Sequence, residues 1–327
     1  MRSLVYFALS LSVICAVTPC QAETPPAFML KWGTGGIAEG EFERPYAVSA
    51  GPGGAVYVAD LANDKILKFD GSGNFILEWG NRGVVVGQFH EPWGVATDRL
   101  GNVYVADRIN HRIQKLDENG IHLLTIGYLG DGEGQLYRPS GVAVDEALNV
   151  FVSDTFNSRI QKFSPAGEPL LQWGAAGAGI GQFDYPWGIV VTPDGSVYVA
   201  DAGNSRVQKF SSSGVFILTW GSFGSEIGQF DEPAHLAADE DGNILVADAS
   251  NDRIQKFDGV GEFLTTWGAP PPTEYPDGTF SRPFGVAAAS LGVVYVADTF
   301  LHRIQKFGPA PVQVESMTWG RVKAERR

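Results

Sequence analysis

The chain has 327 residues, 44% hydrophobic and 19% charged, with 24 Lys and Arg against 37 Asp and Glu for a formal net charge of −13. That composition suits a globular protein with a large core and excludes a disordered or fibrous chain. A field of that sign repels phosphate backbones and anionic membranes, so nucleic acid is not an expected partner.

The first element is a leader. Arg2 precedes an apolar run from Leu4 to Val17, and a small-residue site ends at Ala22. This is the layout of a secretory signal peptide over residues 1–22. The run is shorter than the about 20 apolar residues of a membrane span. No span is expected after its removal, and the predicted location is secreted or periplasmic. Both cysteines, Cys15 and Cys20, fall inside the leader. The remaining chain therefore has no disulfide framework, thiol nucleophile or cysteine metal site. Its balance is 23 basic against 37 acidic residues, a net of −14.

One stretch then occurs six times. Its clearest copy, GSVYVADAGNSRVQKF, runs from Gly195 to Phe210, and the others begin at Gly54, Gly101, Leu148, Gly242 and Gly292. The Asp of each copy falls at Asp60, Asp107, Asp154, Asp201, Asp248 and Asp298, with a spacing of 47 four times and then 50. A fixed period of that size marks a repeat architecture. Within one unit PWGIVV, SVYVA, RVQKF and VFILTW predict four strands, the second and third alternating as half-buried strands do. DRLGN (Asp98 to Asn102) and DEDGN (Asp239 to Asn243) predict hairpin turns. No helical period interrupts the series.

The predicted fold is all-β, a six-bladed β-propeller of four-stranded antiparallel blades over residues 23–310. The repeat units fall near 34–80, 81–127, 128–174, 175–221, 222–268 and 269–310. FMLKWG (Phe28 to Gly33) duplicates the fourth-strand sequence FILEWG ahead of the first unit. It is predicted to latch the ring by completing the last blade beside Ile304. VQVESMTWG (Val312 to Gly320) competes for that place; otherwise residues 311–327 form an extra strand or a tail with a basic end.

The pattern G-x-F-x-x-P-x-G-V-A-V-D, G-N-x-Y-V-A-D and N-x-R-I-Q-K-F resembles the NHL repeat, six units in register over residues 34–310. The Gly-His and Trp-Asp signatures of WD40 repeats are missing. The resemblance implies a six-bladed propeller, as the period does. Among similar propellers, the amidating lyase binds zinc through channel histidines after such prolines, and the corresponding positions here hold no His. Gluconolactonase-like propellers hold a metal with carboxylate and amide oxygens, and no such set is visible. NHL domains of some cytosolic regulators bind single-stranded RNA on a basic face, which the acidic balance and the leader argue against.

Groups present in every blade serve the blade. Asp107 with Arg112, and its counterparts down to Asp298 with Arg303, predict carboxylate–guanidinium pairs across a turn. Blade one has Asp60 and Lys65, and the Asn residues at 63, 110, 157, 204 and 251 are expected to satisfy turn amides. Trp32, Trp79, Trp173, Trp220, Trp267 and Trp319 precede closing glycines and are expected to pack between blades.

Function belongs where equivalent positions differ. The residue after the strand-starting Pro is Tyr46, Trp93, Ser140, Trp187, Ala234 or Phe284; the residue before it is Arg44, Glu91, Arg138, Tyr185, Glu232 or Arg282. These positions predict a channel-mouth rim. Either its aromatic and Arg side chains bind a protein, peptide or glycan, or they pack the rim and pair with one another. His235, at the usual Gly of P-x-G, is the one histidine placed near the channel, and one imidazole does not make a zinc site. Asp131 and Glu133 in YLGDGEG read as a solvated turn, with calcium as the competing reading. No catalytic residue, metal site or cofactor is assigned. The expected function is a monomeric, non-catalytic binding propeller. The alternatives are a metal-dependent hydrolase or lyase working in the channel, and a purely structural repeat.

Overall fold

The computed structural model describes residues 23–268 and 274–309. The leader, part of the inserted Pro-rich loop, and the C-terminal segment with Trp319 and the competing strand lie outside them.

Each unit folds as four antiparallel strands. In blade one these are Pro45–Ala50, Val56–Asp60, Lys65–Phe69 and Phe75–Trp79, in that order from the inside outward. Four more sheets repeat the order. The sixth consists of Pro283–Ala289, Val293–Asp298 and Arg303–Gly308, with Ala27–Trp32 antiparallel to Arg303–Gly308 and Trp32 opposite Ile304. The inner strands neighbour one another in sequence, and Pro45–Ala50 lies beside Pro283–Ala289, so six blades close into a ring around a central channel.

The second strand differs from its half-buried expectation. VYVAD is buried along its whole length in blades one, two and four. Each blade is covered on both faces by its neighbours, so both sides of the strand meet apolar side chains. The tryptophans do this between blades. Trp32 lies 5.9 Å from Tyr295 in blade six and 5.8 Å from Phe69 in blade one, and Trp220 lies 6.1 Å from Tyr198 and 5.7 Å from Phe257 in the following blade. The outer hairpin of the next blade beds on the same indole. A Cβ added at Gly120, whose φ is +84°, would sit 2.7 Å from Trp79.

All six repeat aspartates are fully buried. Asp201 accepts bonds from Arg206 Nε at 2.7 Å, Gln208 Nε2 at 3.0 Å, Asn204 Nδ2 at 2.9 Å and the Asp184 amide at 2.8 Å. Arg206 also donates to the carbonyls of Ala178, Gly179 and Gln182, and Asn204 to that of Gly177. The cluster thus clamps the connector that brings the chain in from the previous blade. The Asn side chain, expected to satisfy turn amides, instead donates to the carboxylate and to a connector carbonyl; an amide NH2 beside a buried carboxylate has its strongest acceptor there.

Blade one departs from this. Lys65 pairs with Glu78 at 2.5 Å and not with Asp60. Leu67 stands where the other blades have Gln. Asp60 keeps only the Glu43 amide and Asn63, and burial pushes its pKa up to about 7 against those two bonds.

Candidate functional site at the channel mouth

The mouth is shaped by how closely the inner strands approach. In P-x-G the glycine faces the next blade's backbone: a Cβ at Gly94 would lie 2.4 Å from the Ser140 carbonyl, and one at Gly188 would lie 2.4 Å from that of Ala234. The residue between Pro and Gly is therefore drawn toward the axis. The four rings at this position meet there. Tyr46 lies 4.1 Å from Trp93 and 4.2 Å from Phe284, while Trp187 is 6.0 Å from Trp93 and 6.2 Å from Phe284. Tyr46 and Phe284 are buried. The rings form a contiguous aromatic floor, Tyr46 stacked on Phe284 and the other contacts tilted or edge-on, and do not stand apart around an open rim. Ser140 and Ala234, fully buried, complete it.

The residues before the prolines stand above this floor. All six are left-handed: Arg44 φ +67°, Glu91 +52°, Arg138 +50°, Tyr185 +49°, Glu232 +56° and Arg282 +49°. The preceding blade holds four of their amides. Glu91 donates to Asp64 Oδ1 at 2.7 Å, Arg138 to His111 Nδ1 at 3.0 Å, Arg282 to Asp252 Oδ1 at 2.6 Å and Arg44 to His302 Nδ1 at 3.3 Å. Arg138 N–H can donate only to an unprotonated His111 Nδ1, and burial and the Arg138 charge lower the His111 pKa.

Arg282 pairs with Glu232, whose carboxylate also accepts from Ser250 Oγ at 2.8 Å. Glu91 pairs at 3.2 Å with Arg108, a residue of the turn after the second strand, and the Arg108 guanidinium lies 4.0 Å from the Trp93 ring centroid. Burial of Tyr46 raises its pKa well above the usual phenol range, against the nearby charges of Arg108, Arg282 and Arg44.

The sequence-predicted residues Tyr46, Trp93, Trp187, Phe284, Arg44, Arg138, Arg282 and Tyr185 thus occupy one end of the ring, floor and wall. His235 sits lower, in a channel cavity of about 200 Å³ with Ser49, Thr97 and small apolar side chains. Enclosure by the inner strands lowers its pKa to about 4, with the Trp93 main chain pulling the other way. Its Nε2 has no partner. Among the described residues, no three His, Cys, Asp or Glu side chains are grouped to hold a metal ion. Arg108, Phe156, Ser250 and Phe300 reach the mouth from the turns after the second strands, which sequence reasoning treated as scaffold. Their signal was the one used for the rim, residues that differ at equivalent positions: Leu61, Arg108, Thr155, Ala202, Ala249 and Thr299 directly after the repeat aspartate, and Ala62, Ile109, Phe156, Gly203, Ser250 and Phe300 one further on.

The NHL repeat family matches residues 89–116, 136–163, 183–210 and 230–257. With four matched units inside a ring of six four-stranded blades, the fold and the repeat agree. The chain is an NHL-repeat propeller. No curated protein matches it. Solved structures of similar fold include a protein of unknown function from Bacteroides thetaiotaomicron, 20% identical with a TM-score of 0.67 over 85% of this chain and 74% of that one. A gluconolactonase from Xanthomonas campestris is 16% identical, with a TM-score of 0.61 over 89% and 99%. An auxiliary nutrient binding protein from Bacteroides ovatus is 14% identical, with a TM-score of 0.59 over 82% and 70%. At these identities the likeness is one of fold, and the NHL propeller's chemistry must be argued from its own mouth.

Proposed function

We propose that this NHL propeller is an exported, non-catalytic binding module that engages a protein, peptide or glycan at the channel mouth. The observation that carries the reading is the set of six unlike side chains before the prolines. They are held in one left-handed geometry above the aromatic floor, where the blades otherwise repeat their contacts. Rigid aromatic and Arg side chains at one face are the chemistry of interaction hot spots. The nutrient-binding and gluconolactonase likenesses lend the fold equally to binding and to catalysis. The channel itself offers His235 among Ser, Thr and apolar side chains.

An array of peptides and oligosaccharides, probed with the protein and with an Arg44→Ala, Arg138→Ala, Tyr185→Ala variant, tests this reading. Loss of all captured ligands in the variant is the expected result. Ligands retained by that variant but lost on Glu240→Ala or Ser290→Ala, at the opposite end of the channel, would place binding there and sink the proposal.

A further inference from the structure

The arginines at the mouth are unevenly paired. Arg108 and Arg138 lie over the same Phe156 ring, 5.7 and 5.1 Å from its centroid. Arg44 and Arg282 share Phe300 in the same way, at 5.8 and 5.7 Å. Glu91 answers Arg108 and Glu232 answers Arg282. Neither Arg44 nor Arg138 has a carboxylate partner among the described residues. The Nε atoms of Arg108, Arg138 and Arg282 are buried without hydrogen-bond partners. Guanidinium groups brought together on one ring repel; at Arg108 and Arg138, both partly buried, less water screens them than at Arg44 and Arg282, which are more exposed. An incoming carboxylate accepts bonds from both members of such a pair and relieves that repulsion.

Which carrier brings the carboxylates is indicated by the surface outside the arginines. The aromatic floor is largely covered by its own rings and by Arg108, so the ring faces accessible at the mouth are those of the wall, Tyr185 and Phe300. The connectors that run in to the mouth also expose Ile37, Val84, Leu129, Ile180 and Phe223, each between 60% and 77% accessible. Exposed apolar side chains on the connectors, with charged side chains at the mouth they lead to, match a protein partner better than a hydrated polysaccharide.

We propose that the mouth receives an acidic segment of a partner protein, its carboxylates seated at the arginine pairs Arg108–Arg138 and Arg44–Arg282. The inference rests on the binding-module reading above and gives it a ligand class. The chain carries a net charge of −13, so Arg44 and Arg138, which hold no ion pair among the described residues, run against its overall charge and select by local charge rather than by the total.

The test titrates a synthetic oligo-glutamate peptide, and separately polygalacturonate, against the whole protein, read by calorimetry and by the change in tryptophan fluorescence that is lost when Trp93 and Trp187 are both replaced by Phe. The peptide is expected to bind with an affinity that falls as salt rises to about 0.15 M. Arg44→Gln with Arg138→Gln is expected to weaken it by about tenfold or more without moving the thermal melt. Neither residue donates a side-chain hydrogen bond among the described residues, so folding should tolerate the change. Peptide binding unaltered by this double variant overturns the proposal, as does no peptide binding at all. Polygalacturonate binding that the variant abolishes, without peptide binding, leaves the mouth as the site but refutes the protein segment. Self-association that the variant abolishes would make a second copy the occupant and overturn it too. Ligands from the array that map to the opposite end of the channel instead bring down the underlying reading.

Discussion

Blade one offers a direct measurement of what the buried aspartate cluster contributes. Asp60 is fully buried without Arg or Gln, and its pKa rises to about 7. An acid that binds its proton more tightly when folded than unfolded opposes folding once it ionises. The blade is therefore most stable below the ordinary carboxylate pKa and loses stability as pH climbs through about 7. Three units above the usual ~3.9 correspond to about 4 kcal/mol, as an order of magnitude. Lys65→Arg with Leu67→Gln rebuilds the cluster of blade four, where Arg206 and Gln208 both donate to Asp201. Each charge-assisted bond gained is worth about 1.5–3 kcal/mol. The variant should be stabilised by about 3 kcal/mol at pH 8 and by much less at pH 5, where Asp60 is protonated and has less to gain. Urea denaturation midpoints at the two pH values measure this. An equal gain at both, or none at pH 8, would refute the account of Asp60 as an uncompensated buried acid. Arg206→Lys with Gln208→Leu should make the opposite change in blade four.

His235 predicts the reverse pH limb. Its pKa is lowered to about 4, so the fold disfavours its charged form. Stability should fall as pH drops from about 6.5 to about 4, by about 3 kcal/mol over that window. His235→Gly, restoring the residue that blades two, three, four and six carry, should flatten the limb in acid denaturation curves; an unchanged limb would locate the sensitivity elsewhere. The glycine beds on tryptophan predict a paired comparison. Gly120→Ala meets Trp79, whereas Gly242→Ala, at φ +80°, meets nothing within 4 Å. Both carry the left-handed backbone cost of about 1–2 kcal/mol, and thermal melts should show Gly120→Ala losing more, since its indole must also shift. Equal losses would mean the Trp79 contact is slack.

The ring was legible because a blade is a local object. A period of 47, four strands per unit and their turns are all readable within neighbouring residues. The mouth was legible only in part. Unlike side chains around the prolines named its wall, but the convergence of Tyr46, Trp93, Trp187 and Phe284 follows from the glycine-to-carbonyl approach between blades. That approach exists only once the ring has closed. Lys65 reads as a stand-in for Arg and goes instead to Glu78, an outer-strand residue whose counterparts include Thr125, Gln172, Thr219 and Thr266. Arg108, Phe156 and Phe300 were hidden by the regular turn in which they sit. Gln208 and its equivalents carry no role that the sequence pattern assigns. Their amides bond the buried aspartate and the connector together, a role that depends on burial and not on pattern.

The left-handed backbone before each proline carries a thermodynamic consequence for the mouth as a whole. Glycine would occupy any of those six positions without the roughly 1–2 kcal/mol that a Cβ costs there, yet the chain places three arginines, two glutamates and a tyrosine at them. Summed, that is on the order of 6–12 kcal/mol held against folding, a quantity comparable with the entire net stability of an ordinary domain. A variant with glycine at Arg44, Arg138 and Tyr185, which hold no ion pair among the described residues, should be the sturdier propeller and one with half the wall at its mouth removed. Stability and recognition are thus set against each other at the same six residues.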